Sequence, residues 1–272
     1  MAPFKKPSFE ELEKAYLELT RYCLLGSAAF VLELMTEFYP EADISPSPRE
    51  NLRIAHARVL YQTGQFQKAA HILSGNTEPV ALALKILSQL MSIQRQHLQA
   101  PDGNGAAPNG SVYSELCDEY ASVSSSEDPL LLFIYASLLV RGKRFEEAIP
   151  LLVQSLNTQP LNRSGWKLLQ DILVRFDEGV ISVALEGLDD TWMKQLFHTE
   201  ILAELQQTMD SLKMFNEIGL PRIPTFVSIE AKIEYHHRDF EKSAVLFEEL
   251  RKLDPFHLET LELYSNLLFV NG

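Results

Sequence analysis

Four stretches of this sequence fall into register when the chain is slid along itself. "RDFEKSAVLFEELRKLDP" (Arg238–Pro255) aligns with "GKRFEEAIPLLVQSLNTQP" (Gly142–Pro160), placing Phe240 on Phe145, Phe247 on Leu152 and Pro255 on Pro160. "TGQFQKAAHILSG" (Thr63–Gly75) repeats the pattern with Phe66, Ala69 and Leu73, and "LQQTMDSLKMFNEIG" (Leu205–Gly219) repeats it more weakly with Ser211 and Phe215. Each follows another amphipathic segment whose apolar residues recur at helical spacing, and no strong strand alternation appears. A lone helical hairpin cannot bury its apolar face, so a repeated one dictates an all-helical stack in which neighbours cover each other.

The positions have distinct physical roles. A small residue in the first helix (Ala57, Ala136, Thr199, Ala231) and another early in the second (Ala69, Ala148, Ser211, Ser243) let the two helices cross closely. A large apolar residue follows four positions later (Leu73, Leu152, Phe215, Phe247), and Pro160 and Pro255 end their periods because proline cannot continue a helix. Trp166, six residues after Pro160, takes the aromatic slot of a further first helix. The same offset separates Ala148 from Ser243 and Pro160 from Pro255, and Ser211 precedes Ser243 by close to the tetratricopeptide period of about 34 residues. The pattern resembles the tetratricopeptide repeat, which implies an all-α solenoid of antiparallel helix pairs.

The organisation expected is a first hairpin over 1–39, a Pro/Ser/acidic linker over 40–50, and repeats over 51–272. A Gly/Asn/Pro/Ala-rich segment at 99–111 reads as an exposed, disordered loop. "FHLETLELYSNLLFVNG" after Pro255 opens a period whose second helix does not follow, which reads as a truncated last repeat in a fragment of a longer protein.

Charge narrows the partners. With 24 basic and 37 acidic residues the net charge is −13, a poor match for nucleic acid or an anionic membrane. The most apolar run, Pro129–Val140, is too short to span a bilayer. Two cysteines, Cys23 and Cys117, in apolar helical patterns suggest a reducing compartment. "HRD" at 237–239 has a kinase-like look, but position 244 is Ala where that motif needs Asn, and the register puts it in an inter-helix turn. His236 and His237 diverge by about 100° on a helix and lack further ligands at chelating offsets. The expectation is no catalytic residue, no metal and no cofactor. A clamp for acidic peptide tails needs Lys and Asn four apart on first helices. The pairs present are Ile54/Arg58, Phe133/Ser137, Leu196/Glu200 and Ser228/Lys232, and the apolar members favour a hydrophobic partner such as a second copy.

A closer resemblance is carried by "DTWMK" (Asp190–Lys194), "FEELRKLDP" (Phe247–Pro255), "YSNLLFV" (Tyr264–Val270) and "YQTGQFQKAAHIL" (Tyr61–Leu73), strongest in the last third of the chain. These are similar to the family of anaphase-promoting complex subunit 8, or cell division cycle protein 23. That resemblance implies a non-catalytic scaffold of a cell-cycle ubiquitin ligase in the nucleus and cytoplasm, partnered by other subunits of the complex. It also implies a homodimer in which each protomer's first helices pack into the other's groove. By position that surface falls on the first hairpin, where Tyr16, Leu19, Tyr22, Leu24, Leu25, Phe30 and Leu34 are the apolar residues on offer. The alternative is a monomeric repeat module that binds a partner peptide in its concave groove.

Overall fold

The computed structural model describes residues 4–40, 42, 51–98 and 110–271. Among these residues there are helices and no strands, and the all-helical expectation holds. The helices are α1 (Phe9–Arg21), α2 (Leu25–Phe38), α3 (Leu52–Gln62), α4 (Phe66–Ile72), α5 (Pro79–Leu98), α6 (Gly110–Glu119), α7 (Pro129–Arg141) and α8 (Phe145–Thr158). They continue as α9 (Arg163–Leu173), α10 (Glu178–Glu186), α11 (Trp192–Glu204), α12 (Thr208–Ile218), α13 (Pro224–His236), α14 (Phe240–Leu253) and α15 (Leu261–Asn271). The expected linker at 40–50 and loop at 99–111 lie almost wholly outside the described residues, and α6 already opens at Gly110.

One turn recurs. In five hairpins the residue two before the second helix sits in the left-handed region: Cys23 (φ 58), Gly64 (φ 76), Lys143 (φ 62), Gln206 (φ 64) and Arg238 (φ 65). Its N–H bonds back three residues, and the next N–H bonds back five, as in Leu24 to Leu19, Gln65 to Leu60, Arg144 to Leu139, Gln207 to Leu202 and Asp239 to Glu234, all between 2.8 and 3.1 Å. This is the Schellman arrangement, which satisfies the last carbonyls of the first helix while the chain reverses. α1 and α2 share it with the later pairs, so the first hairpin is built like a repeat.

The chain gathers into two compact units. One comprises Glu13–Ala29 and Asp43–Ile172; the other Met1–Leu12, Phe30–Ala42 and Leu173–Gly272. In the first unit Ala57, Ala69, Ala136 and Ala148 have no exposed surface, and Leu152 is fully buried as well. Trp166 is buried with its indole N–H donating to the Pro160 carbonyl at 2.7 Å, while Pro160 itself is half-buried. In the second unit Ser211 and Ser243 hold the small-residue slots, each fully buried. The Ser211 hydroxyl donates to the Thr199 carbonyl at 2.8 Å, and the Ser243 hydroxyl donates to the Ala231 carbonyl at 3.0 Å. Phe215 and Phe247 are buried behind them, and Phe247 joins Val227, Leu246, Leu250, Tyr264 and Leu267 in one core. Pro255 is exposed at the following turn.

His237 caps α13, Arg238 is the left-handed turn residue, and Asp239 caps α14 by accepting from the Lys242 N–H at 3.0 Å. The three residues that resembled a kinase loop are a hairpin turn.

Candidate functional site

The first hairpin begins with a reciprocal cap. The Ser8 N–H donates to the Glu11 carboxylate at 2.8 Å and the Glu11 N–H donates to the Ser8 hydroxyl at 3.2 Å, which starts α1 and holds the Glu11 carboxyl below its ordinary range. From there α1 and α2 are docked on the repeats of their own chain.

In the first unit the hairpin meets α3, the starts of α5 and α7, and the turn between α8 and α9. The Arg58 guanidinium on α3 donates to the Arg21 carbonyl at 2.7 Å, and Arg21 pairs with Glu78 ahead of α5 at 3.3 Å. The Tyr22 hydroxyl donates to Asp128 Oδ2 at 2.6 Å. Asp128 is also the N-cap of α7, its Oδ1 accepting from the Leu130 and Leu131 N–H groups at 3.1 and 2.9 Å. Burial, with the Asp128 carboxylate beside it, pushes the Tyr22 hydroxyl far above its usual range, so it stays a donor. Gln159 donates to the Glu18 carboxylate at 2.8 Å, and burial raises the Glu18 carboxyl above its ordinary value. Ser27, fully buried at the start of α2, donates to Asn162 Oδ1 at 2.9 Å and accepts from the Ser164 N–H at 2.9 Å.

In the second unit the rest of α2 and the segment before α1 make a parallel set of contacts. Phe30 meets Phe226 edge-on at 6.0 Å between ring centres, and Phe226 meets Trp192 at 6.1 Å. Phe4 packs edge-on to Trp192 at 5.2 Å, and its N–H donates to the Ile218 carbonyl at 3.1 Å. The Glu33 carboxylate caps the start of α13, accepting from the Thr225 N–H at 3.0 Å and from the Thr225 hydroxyl. Lys6 lies 4.3 Å from the Tyr39 ring centre and donates to the Phe38 carbonyl, pinning the leading segment to the end of α2.

Residues 40–219 match the family model for anaphase promoting complex subunit 8 / Cdc23. The chain belongs to that family. The match covers Tyr61–Leu73 and Asp190–Lys194 but ends before Phe247, so two of the stretches that carried the resemblance lie outside it. The cell division cycle protein 23 homolog of Homo sapiens is 28% identical over 269 residues, covering 92% of this chain and 44% of that protein. Anaphase-promoting complex subunit 8 of Arabidopsis thaliana is 26% identical over 222 residues, 78% of this chain and 38% of that protein. The subunit 8 of Dictyostelium discoideum is 31% identical over 154 residues, 56% of this chain and 26% of its own length. The chain thus spans about two fifths of the length of the human relative it matches.

For this Cdc23-family chain the seven apolar hairpin residues divide by burial. Leu19, Tyr22, Phe30 and Leu34 are buried within the single chain, Tyr16 and Leu24 are half-buried, and Leu25 is 55% exposed. The apolar first-helix residues Ile54, Phe133 and Leu196 are buried too, so they are not an open apolar surface. The polar residues that hold the hairpin (Asp128, Gln159, Asn162, Thr225) carried no such signal in the sequence. Among the described residues no three His, Cys, Asp or Glu cluster in a way that could hold a metal ion, and no helix is long and apolar enough to cross a membrane.

Proposed function

We propose that this chain is part of a non-catalytic scaffold subunit of the anaphase-promoting complex, and that it homodimerises by exchanging its first hairpin. The single observation that carries the reading is the way the hairpin is held. It makes directional bonds through Glu18, Tyr22, Ser27 and Glu33 to the repeats, the kind of seat that a second copy's identical hairpin can occupy. Exchange of an identical element between protomers uses contacts that already exist and so requires no new surface. The sequence between the hairpin and α3 is rich in proline, with Pro40, Pro46 and Pro48. Membership of the family supports the rest: association with the other subunits of the complex, a structural rather than catalytic role in ubiquitin ligation, and residence in nucleus and cytoplasm.

A monomeric module that binds a partner peptide is the competing reading. The docked hairpin counts against it, because Arg58, one of the first-helix positions such a peptide would use, already bonds to Arg21. The test is co-expression of two copies of the chain carrying different tags. Co-purification of both tags supports exchange, and deletion of residues 1–39 abolishes it. Recovery of each tag alone, with a folded chain, refutes it.

A further inference from the structure

Between Asn51 and Leu98 the sequence holds Arg53, Arg58, Lys68, Lys85 and Arg95 against a single acidic residue, Glu78, in a chain of net charge −13. Two of these cations, Lys68 and Arg95, are exposed and line a cleft of about 390 Å³ between the start of α4 and the end of α5. Glu78 is taken by Arg21, and among the described residues no carboxylate pairs with Lys68 or Arg95. The cleft has no acidic residue in its wall. Its remaining polar groups are the amides of Gln65, Gln67 and Gln96 and the Ser92 hydroxyl, which both donate and accept. The Arg95 guanidinium is fixed at the mouth by donation to the Gly64 carbonyl at 2.8 Å. That bond uses one of its five N–H donors and spares much of the side-chain entropy that a free arginine loses on pairing.

We propose that this cleft binds an acidic peptide segment of a partner protein. Carboxylates of the segment pair with Lys68 and Arg95, and the glutamine amides bond its backbone. Like-charge repulsion from the acidic remainder of the chain steers such a segment toward this cationic cleft. Nucleic acid fits less well, because two cations release few counterions and the surrounding chain repels a phosphate backbone. The inference does not depend on hairpin exchange.

The experiment is fluorescence anisotropy of a labelled peptide of alternating Glu and Gly, titrated with the full chain at low salt. Saturable binding is expected, weakened about tenfold or more by K68E combined with R95E. K252E, which removes a cation on α14, leaves it unchanged, and circular dichroism confirms that each variant is folded. A K68E single variant, at an exposed position, repeats the loss without touching the Gly64 bond. No saturable binding by the wild-type chain overturns the proposal, as does equal loss in K252E. Tighter binding of a labelled oligothymidine through the same two residues also overturns it, in favour of nucleic acid.

Discussion

The Tyr22 hydroxyl donates to the Asp128 carboxylate at 2.6 Å across 106 residues of sequence, and the same carboxylate caps α7. One side chain therefore starts a helix of a repeat and anchors the first hairpin to it. Tyr22→Phe removes a buried hydrogen bond to a charged group and should destabilise by about 1.5–3 kcal/mol. Asp128→Ala loses the cap as well, about 1 kcal/mol more. The double variant should cost less than the two singles together, which denaturant unfolding checks in a thermodynamic cycle. Additive costs would mean that the bond does not form in solution.

The repeat slot tolerates small side chains only. Ser243 is fully buried with its hydroxyl on the Ala231 carbonyl, so Ser243→Ala should cost about 1 kcal/mol, one neutral hydrogen bond. Ser243→Val adds bulk where the helices cross and should cost about 1–3 kcal/mol beyond that. Thermal melts of the two variants separate the terms, and equal melting temperatures would show that the slot has room.

These two sites differ in how readable they were. The spacing of Phe240, Ser243 and Phe247, matched at Phe145, Ala148 and Leu152, makes the helix pairs legible because side-chain size alone carries the signal. The left-handed turns were legible only at Gly64; Cys23, Lys143, Gln206 and Arg238 adopt the same conformation without glycine, held there by the bonds that close each turn. The seat of the hairpin was not legible at all. Its partners lie 106 residues apart for Tyr22 and Asp128, and 192 apart for Glu33 and Thr225, and single polar pairs at that separation leave no periodic trace. Phe30 and Leu34 looked like free apolar surface because their covering residues are equally distant in sequence.

Those turns predict stabilising changes. A non-glycine residue in the left-handed region costs about 1–2 kcal/mol, and glycine regains most of that against a larger loss of chain entropy, about 0.5–1 kcal/mol. Lys143→Gly and Arg238→Gly, both with side chains outside any core, should therefore raise stability by up to about 1 kcal/mol each. A drop in the urea midpoint would mean that the side chains stabilise the turn in some other way.

Glu18 supplies a pH test. Burial, opposed by Lys14, lifts its carboxyl above the ordinary value of 4.5, so the folded chain holds the proton more tightly than the unfolded one. Its contribution to stability is greatest at low pH and is lost as pH rises from 4.5 through the folded value. Glu18→Gln, which can still accept from Gln159, should be more stable than wild type at pH 7, with the difference closing below pH 4.5. A variant less stable at pH 7 would show that the ionised carboxylate is well solvated or well paired.

The most direct test of the account is the mass of the chain in solution, by light scattering on a sizing column across a wide range of concentration. Hairpin exchange predicts a mass near twice 30.9 kDa that does not vary with concentration, because each protomer's hairpin is buried in the other. A mass of 30.9 kDa at every concentration would contradict it and leave the hairpin as a permanent part of its own chain.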